Sequence, residues 1–217
     1  MKKIFQIFVM VLCSFNLAFS TAERGSSEPY ISGDSFREHC DFIFDETDQS
    51  MNPTSVGKGD VIFVKTDLLP SFFSMIHPFI KEKYILVSHN SDHPAPDNFA
   101  AFLDDEKIIA WFAQNVENYS HPKLHSIPIG FANKYWKHGD VNIINDVMQT
   151  SFHFEKNILL YMNFQIATRI DERSKVANLF KDQPYCVIES PKEYKDYLLD
   201  LVHSKFVLSP RGNGLDC

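Results

Sequence analysis

The sequence predicts an α/β protein built on parallel sheets, arranged as two Rossmann-like units of which the second is incomplete. Three observations predict it. Eight short apolar runs are separated by longer stretches of helical period. Several of those runs lack the alternation of a half-exposed strand and so suit strands covered on both faces. A polar seam at Gln149–Lys156 parts five strand candidates from a shorter strand-helix-strand-helix-strand series.

In chain order, the strand candidates of the first unit (35–150) are Cys40–Asp45, Asp60–Lys65, Tyr84–His89, Ile108–Phe112 and Leu124–Ile129. Those of the second unit (157–217) are Ile158–Met162, Tyr185–Ile188 and Lys205–Leu208. Helices are expected over Asp67–Ile76, where Leu68, Phe72 and Ile76 recur every fourth residue, and over Asp140–Met148, with Ile143, Ile144 and Val147. Thr168–Phe180 sets Val176, Leu179 and Phe180 against charges. Pro191–Val202 opens with Ser190 as N-cap and proline at its first position. Thr21–Asp34, rich in Ser, Gly, Glu and Pro, reads as a flexible tether.

With 44% hydrophobic and 23% charged residues the chain buries a core, which excludes whole-chain disorder. Its 28 acidic against 21 basic residues give a net charge of −7, against a nucleic-acid or anionic-membrane coat. Residues 1–20 have a signal-peptide layout: Lys2 and Lys3, an uncharged run Ile4–Phe19, then small residues at Ala18 and Ser20. Sixteen helical residues reach about 24 Å, short of a bilayer core of roughly 30 Å. An exported or lumenal protein is expected, held at a membrane only if this segment stays uncleaved as an anchor. Cys40, Cys186 and Cys217 then remain, an odd number at spacings matching no zinc pattern; a Cys40–Cys186 bridge is left open.

The chemistry-bearing signals lie at strand ends. Ser209-Pro-Arg-Gly-Asn-Gly-Leu-Asp216 directly follows the apolar run Phe206–Leu208. Glycines let a backbone approach a ligand closely, and Arg211 offers a planar fork suited to phosphate oxygens. A second polar cluster, His89-Asn-Ser-Asp92-His93, follows the third strand candidate; it reads either as a functional loop or as a turn closed by Pro94 and Pro96. Trp111-Phe112 reads as core, whereas Tyr135-Trp136 sits among Lys134, Lys137 and His138, where core packing and carbohydrate stacking are both open. Asn118-Tyr-Ser120 is a glycosylation sequon in a eukaryotic setting.

Ser204–Cys217 resembles the nucleotide-sugar-binding signature of exostosin-like glycosyltransferases, family 47, in which a strand enters a Ser-Pro-x-Gly loop and an Asp-Cys pair. Tyr161-Met-Asn-Phe164 with Arg173 is similar to the start of that family's second domain. Ser88–Asp92, Trp111–Asn115 and Ile127–Gly130 are similar to stretches of its first. The resemblance implies a GT-B architecture and inverting transfer of a sugar from a nucleotide-sugar donor to a glycan acceptor. Arg211 would contact the donor diphosphate, with Ser209, Gly212, Asn213 and Gly214 as the surrounding loop. The family's following Arg and Trp-Glu pair lie beyond Cys217, so a truncated, catalytically impaired chain is expected.

Inverting transfer needs a base for the acceptor hydroxyl and fixed donors for the leaving diphosphate. Asp92 is the candidate base, His89 the runner-up. No metal or cofactor is expected beyond the sugar nucleotide as cosubstrate. The rival enzyme is an exported metal-assisted hydrolase using His89, Asp92, His93, His121 and His125. The non-enzymatic alternative is a secreted carbohydrate-binding or remnant protein.

Overall fold

The computed structural model describes residues 24–151 and 153–215. It is α/β, and its strands pair parallel in two sheets. All eight apolar runs form strands: β1 Phe42–Phe44, β2 Val61–Lys65, β3 Tyr84–His89, β4 Ile108–Ala113, β5 Leu124–Ser126, β6 Ile158–Met162, β7 Cys186–Ile188 and β8 Ser204–Val207. The expected leader at 1–20 lies outside the described residues, as do Asp216 and Cys217. No helix among the described residues is long and apolar enough to cross a membrane.

The first sheet runs β1-β2-β3-β4-β5. Right-handed parallel connections that step in one direction place their crossovers on one face. There Ile62, Val64, Leu86 and Trp111 meet Leu69, Phe72, Phe73, Ile80 and Leu103. The chain's 20 phenylalanines find much of their use here: Phe73 stacks on Phe102 at 4.0 Å and on Phe99 at 5.2 Å. Trp111 is fully buried and its indole donates to Ser88 Oγ at 2.8 Å, so it belongs to the core. On the opposite face Phe36 of α1, Gly33–Glu38, and Cys40 beyond it border an apolar hollow of about 250 Å³ with Val61, Ile85, Val87 and Phe112.

The expected helix at 67–76 is a run of tight turns instead, with α2 at Leu69–Ser71 between a 3₁₀ turn, Thr66–Leu68, and a π turn, Phe72–Ile76. Pro70 and Pro78 remove donors from the helical ladder, which breaks into short pieces. The crossover from β3 to β4 is a 3₁₀ stretch, Asp97–Asp104, whose Phe99, Phe102 and Leu103 supply the core side.

α3, Val141–Thr150, starts where expected: Asp140 caps it by accepting from Asn142 N at 2.9 Å. α4 spans Ile170–Phe180. α5 spans Tyr194–His203, three residues later than the Ser190–Pro191 start expected from sequence. Lys192, reaching Glu189 at 3.3 Å and Asp200 at 2.5 Å, holds the approach out of helix, and Glu193 takes the N-cap.

The tether expected at 21–34 is not free over its described part. Ser27, Ser32 and Asp34 are buried, Arg24 donates to Asp34 at 2.7 Å and pairs with Glu46, and Ser32 bridges Phe131. Ser32 and Asp34 pack inside through hydrogen bonds to Ser35, Asn90 and Arg24, which composition does not reveal. The seam at 149–156 separates the strands of the two sheets, but α3, ahead of it, packs against α5 and joins it through Asp146–Lys195 at 2.5 Å.

The second sheet runs β7-β6-β8. Its order reverses at β6, which places a topological switch point between the carboxyl ends of β6 and β8. α5 packs over β6 and β8, with Tyr161 Oη donating to Asp200 at 2.8 Å. Cys40 and Cys186 are both free, one in each sheet's unit. Burial pushes the Cys40 thiol up to about 12, so it is unreactive at neutral pH.

Candidate functional site

Parallel strands end their side-chain pattern abruptly, and the loops beyond their carboxyl ends gather polar groups in one place. In the first sheet those loops enclose a cavity of about 510 Å³. Lys65 and Asp67 come from the end of β2, His89–Asp92 from β3, Gln114 from β4, and Ile129–Trp136 with His138 from the segment after β5.

The wall is built by a chain of amide contacts. Asn90 adopts a left-handed backbone, φ 61°, which turns its side chain toward α1. Its amide donates to Asp34 at 3.0 Å, and its oxygen accepts from Asn133 at 2.9 Å. Asn133 in turn accepts from Asp34 N at 2.8 Å. Glycine is required at 33, because a Cβ there would sit 1.8 Å from Asn90 Oδ1 and 2.5 Å from His89 Nδ1. Arg24, over the Tyr135 ring at 4.6 Å, ties the amino-terminal segment to the same wall.

His89 is part of this wall rather than a free base. It is 1% exposed, its Nδ1 accepts from Asn90 N at 2.7 Å, and its Nε2 lies 3.1 Å from Pro128 O. Accepting at Nδ1 leaves the proton on Nε2, donated to that carbonyl, so neither nitrogen serves an external hydroxyl. His89, expected as the runner-up base, stands in the cavity wall with its ring nitrogens on Asn90 and Pro128. Asp92 sits on the exposed rim of the cavity, open to a ligand. Asp67, not selected from sequence, gives the cavity a second carboxylate.

The rest of the lining suits a ring that is apolar on its face and polar at its edge. Trp136 is 53% exposed, and Phe131 and Ile129 are also exposed, all three on the cavity. Gln114 is buried, yet its Oε1 has no hydrogen-bond partner. A buried acceptor without a donor carries a desolvation cost. Of the two readings open for Tyr135-Trp136, packing leaves the stacking role available to Trp136.

A smaller cavity, about 310 Å³, is lined by Asn163, Phe164 and Gln165 after β6, by Pro191, Lys192, Tyr194 and Tyr197 around the start of α5, and by Lys137 and His138 of the first unit. His138 lines both cavities. The two cavities therefore adjoin at His138.

The Ser209–Leu215 segment leaves β8 at the switch point as an irregular loop. Arg173, 7% exposed on α4, clamps it by donating to Pro210 O at 2.9 Å and Arg211 O at 3.0 Å, and holds Gln165 O at 2.8 Å. Arg211 forms a bidentate fork with Glu117 of the first unit, 2.7 Å and 3.0 Å, and those bonds hold the Glu117 carboxyl below its ordinary value. Gly214 faces Asn115, whose Oδ1 accepts from Leu215 N at 3.0 Å. Ser209 and Asn213 are exposed and Gly212 is buried. The anion-suited fork is thus occupied by a carboxylate, so a phosphate would have to displace Glu117.

The histidines weighed as metal ligands are dispersed. His93 lies 3.8 Å from Asp67, His121 3.5 Å from Asp104, and His125 stacks on Phe112. Among the described residues no three His, Cys, Asp or Glu side chains gather where one ion could hold them. Gln114, Asp67 and Glu117 escaped sequence reading, although the first two directly follow strands, the signal that found His89 and Asp92. No family model and no curated protein matches the chain.

Proposed function

We propose that the chain is a glycosyltransferase-type protein of the secretory or exported space, taking a nucleotide-sugar donor and a glycan acceptor, with inverting transfer in a GT-B arrangement. The observation that carries this reading is the polar cavity at the carboxyl ends of the first sheet, with an exposed indole and accessible carboxylates. The glycine-bearing loop with Arg211 follows β8 at the second sheet's switch point. In this reading the larger cavity holds the acceptor ring against Trp136, and Asp92 takes the proton of the attacking hydroxyl. Arg211, released from Glu117, meets the charge that develops on the departing diphosphate. The resemblance of Ser204–Cys217 to the exostosin-like signature points the same way.

The occupied Arg211 fork favours a second reading, a saccharide-binding protein without transfer activity. Calorimetric titration of the full chain with uridine and guanosine diphosphate sugars separates the two. Saturable binding that falls at least tenfold in R211A supports the transferase reading. Saccharide binding with no nucleotide-sugar binding sinks it and leaves the second.

A further inference from the structure

We infer that the two cavities form one track for an uncharged oligosaccharide, crossing from the first unit to the second along Trp136, His138 and Tyr194. This inference rests on reading the larger cavity as a sugar site and adds the size and charge of what it takes.

The three rings form a continuous series. Trp136 and His138 are near-parallel, 16° apart with centroids at 6.1 Å, and His138 meets Tyr194 edge-on at 6.3 Å. The series starts in the larger cavity and ends in the smaller one, with His138 in the lining of both. An isolated aromatic on a surface needs no explanation, but a file of them joining two concavities is a surface made for an extended partner. The faces of pyranose rings are apolar C–H surfaces and their rims are hydroxyls, which suits an aromatic floor bordered by Gln114, Asn163 and Gln165.

Charge selects among such partners. In the smaller cavity Lys137 is paired with Glu193 at 2.7 Å, and Lys192 with Asp200 and Glu189. In the larger one Lys65 faces Glu46 at 3.6 Å, and the carboxylates of Asp67 and Asp92 also line it. These cations are matched by carboxylates, so a uronate or sulfated chain would meet no spare positive charge on the track, and a neutral chain loses nothing. The track also avoids the loop after β8. In the order β7-β6-β8 the smaller cavity borrows from the ends of β6 and β7, on the far side of β6 from Ser209–Leu215.

The chain's own fluorescence supplies the test. It has two tryptophans, and Trp111 is fully buried, so a change in emission on adding sugar reports Trp136. The full chain is titrated with neutral glucose-, xylose- and N-acetylglucosamine-based oligomers of one to six units. Affinity is expected to rise about tenfold once an oligomer is long enough to reach the second cavity, and then to level off. Y194A should abolish that rise while leaving the affinity for the shortest sugars intact. P191W, which fills the smaller cavity from an exposed position, should do the same without removing a contact. Equal affinity at all lengths, or a rise untouched by both variants, overturns the track and leaves the sugar site standing. Competition between uridine diphosphate and only the longer oligomers assigns the smaller cavity to a nucleotide and also overturns it. No emission change with any saccharide removes the sugar-site reading, and the track with it.

Discussion

His77 is a buried imidazole held between two polar partners. It is 3% exposed, its Nδ1 2.8 Å from Tyr84 Oη and its Nε2 3.2 Å from Asp105 Oδ2, a chain that resembles a catalytic relay but lies at the amino ends of β3 and β4, away from the larger cavity. Burial lowers its pKa below 6.5, nearby Lys107 adds to this, and Asp105 opposes without winning. The unfolded chain then binds the proton more readily than the folded one. Stability is full above pH 6.5 and falls as the pH drops from there toward the lowered folded value. Urea midpoints measured from pH 7.5 to 5 should decline, and H77Q should flatten the decline; a parallel slope in H77Q counts against this assignment. Burial also drives the Tyr84 hydroxyl pKa far up, which keeps it a neutral partner for the imidazole.

At the scale of elements, the loop after β8 has little regular structure of its own and depends on α4. Arg173 donates to three carbonyls, two in that loop and one after β6, and its guanidinium lies 5.3 Å from the Phe164 ring centre. Replacing it with methionine keeps most of the apolar stem but removes three charge-assisted hydrogen bonds to part-buried carbonyls, at a cost of about 2–4 kcal/mol. R173M should therefore lower the urea midpoint and speed amide exchange at 163–166 and 209–212 together, because one side chain serves both loops. Faster exchange in only one of them contradicts the shared clamp. A lysine in its place cannot reach three acceptors in a plane, so R173K should recover little of the loss.

At the scale of the whole molecule, apolar burial is uneven. β2, β3 and β4 place Ile62, Phe63, Val64, Leu86, Ile108 and Trp111 at essentially no exposure. In the second sheet only Tyr161 and Met162 are buried apolar side chains among the described residues, while Phe206 is 63% exposed and Leu179 of the neighbouring α4 67%. Local stability follows buried apolar contact. Hydrogen exchange should protect β2–β4 to the global limit and leave β6–β8 exchanging by a lower-energy opening. Equal protection in both sheets would show that the ion pairs Arg211–Glu117, Lys137–Glu193 and Lys195–Asp146 couple the units into one cooperative block.

What the sequence by itself determined is the rhythm: eight strands, their parallel class, and the loops at their carboxyl ends where Asp92, Gln114 and Arg211 fall. Apolar runs of four to six residues carry that information locally, since a strand buried on both faces admits little else. The packed amino-terminal segment, α1 and the late start of α5 were not legible, because polar residues such as Ser32, Asp34 and Lys192 are placed by partners distant in sequence. Only the tertiary structure decided that His89 is a wall, that Glu117 holds Arg211, and that Trp136, His138 and Tyr194 line up across two units. Each of those depends on the sheet order, β1 to β5 in sequence and β7-β6-β8 with its reversal, and strand order is set by long-range pairing energies that no local pattern records.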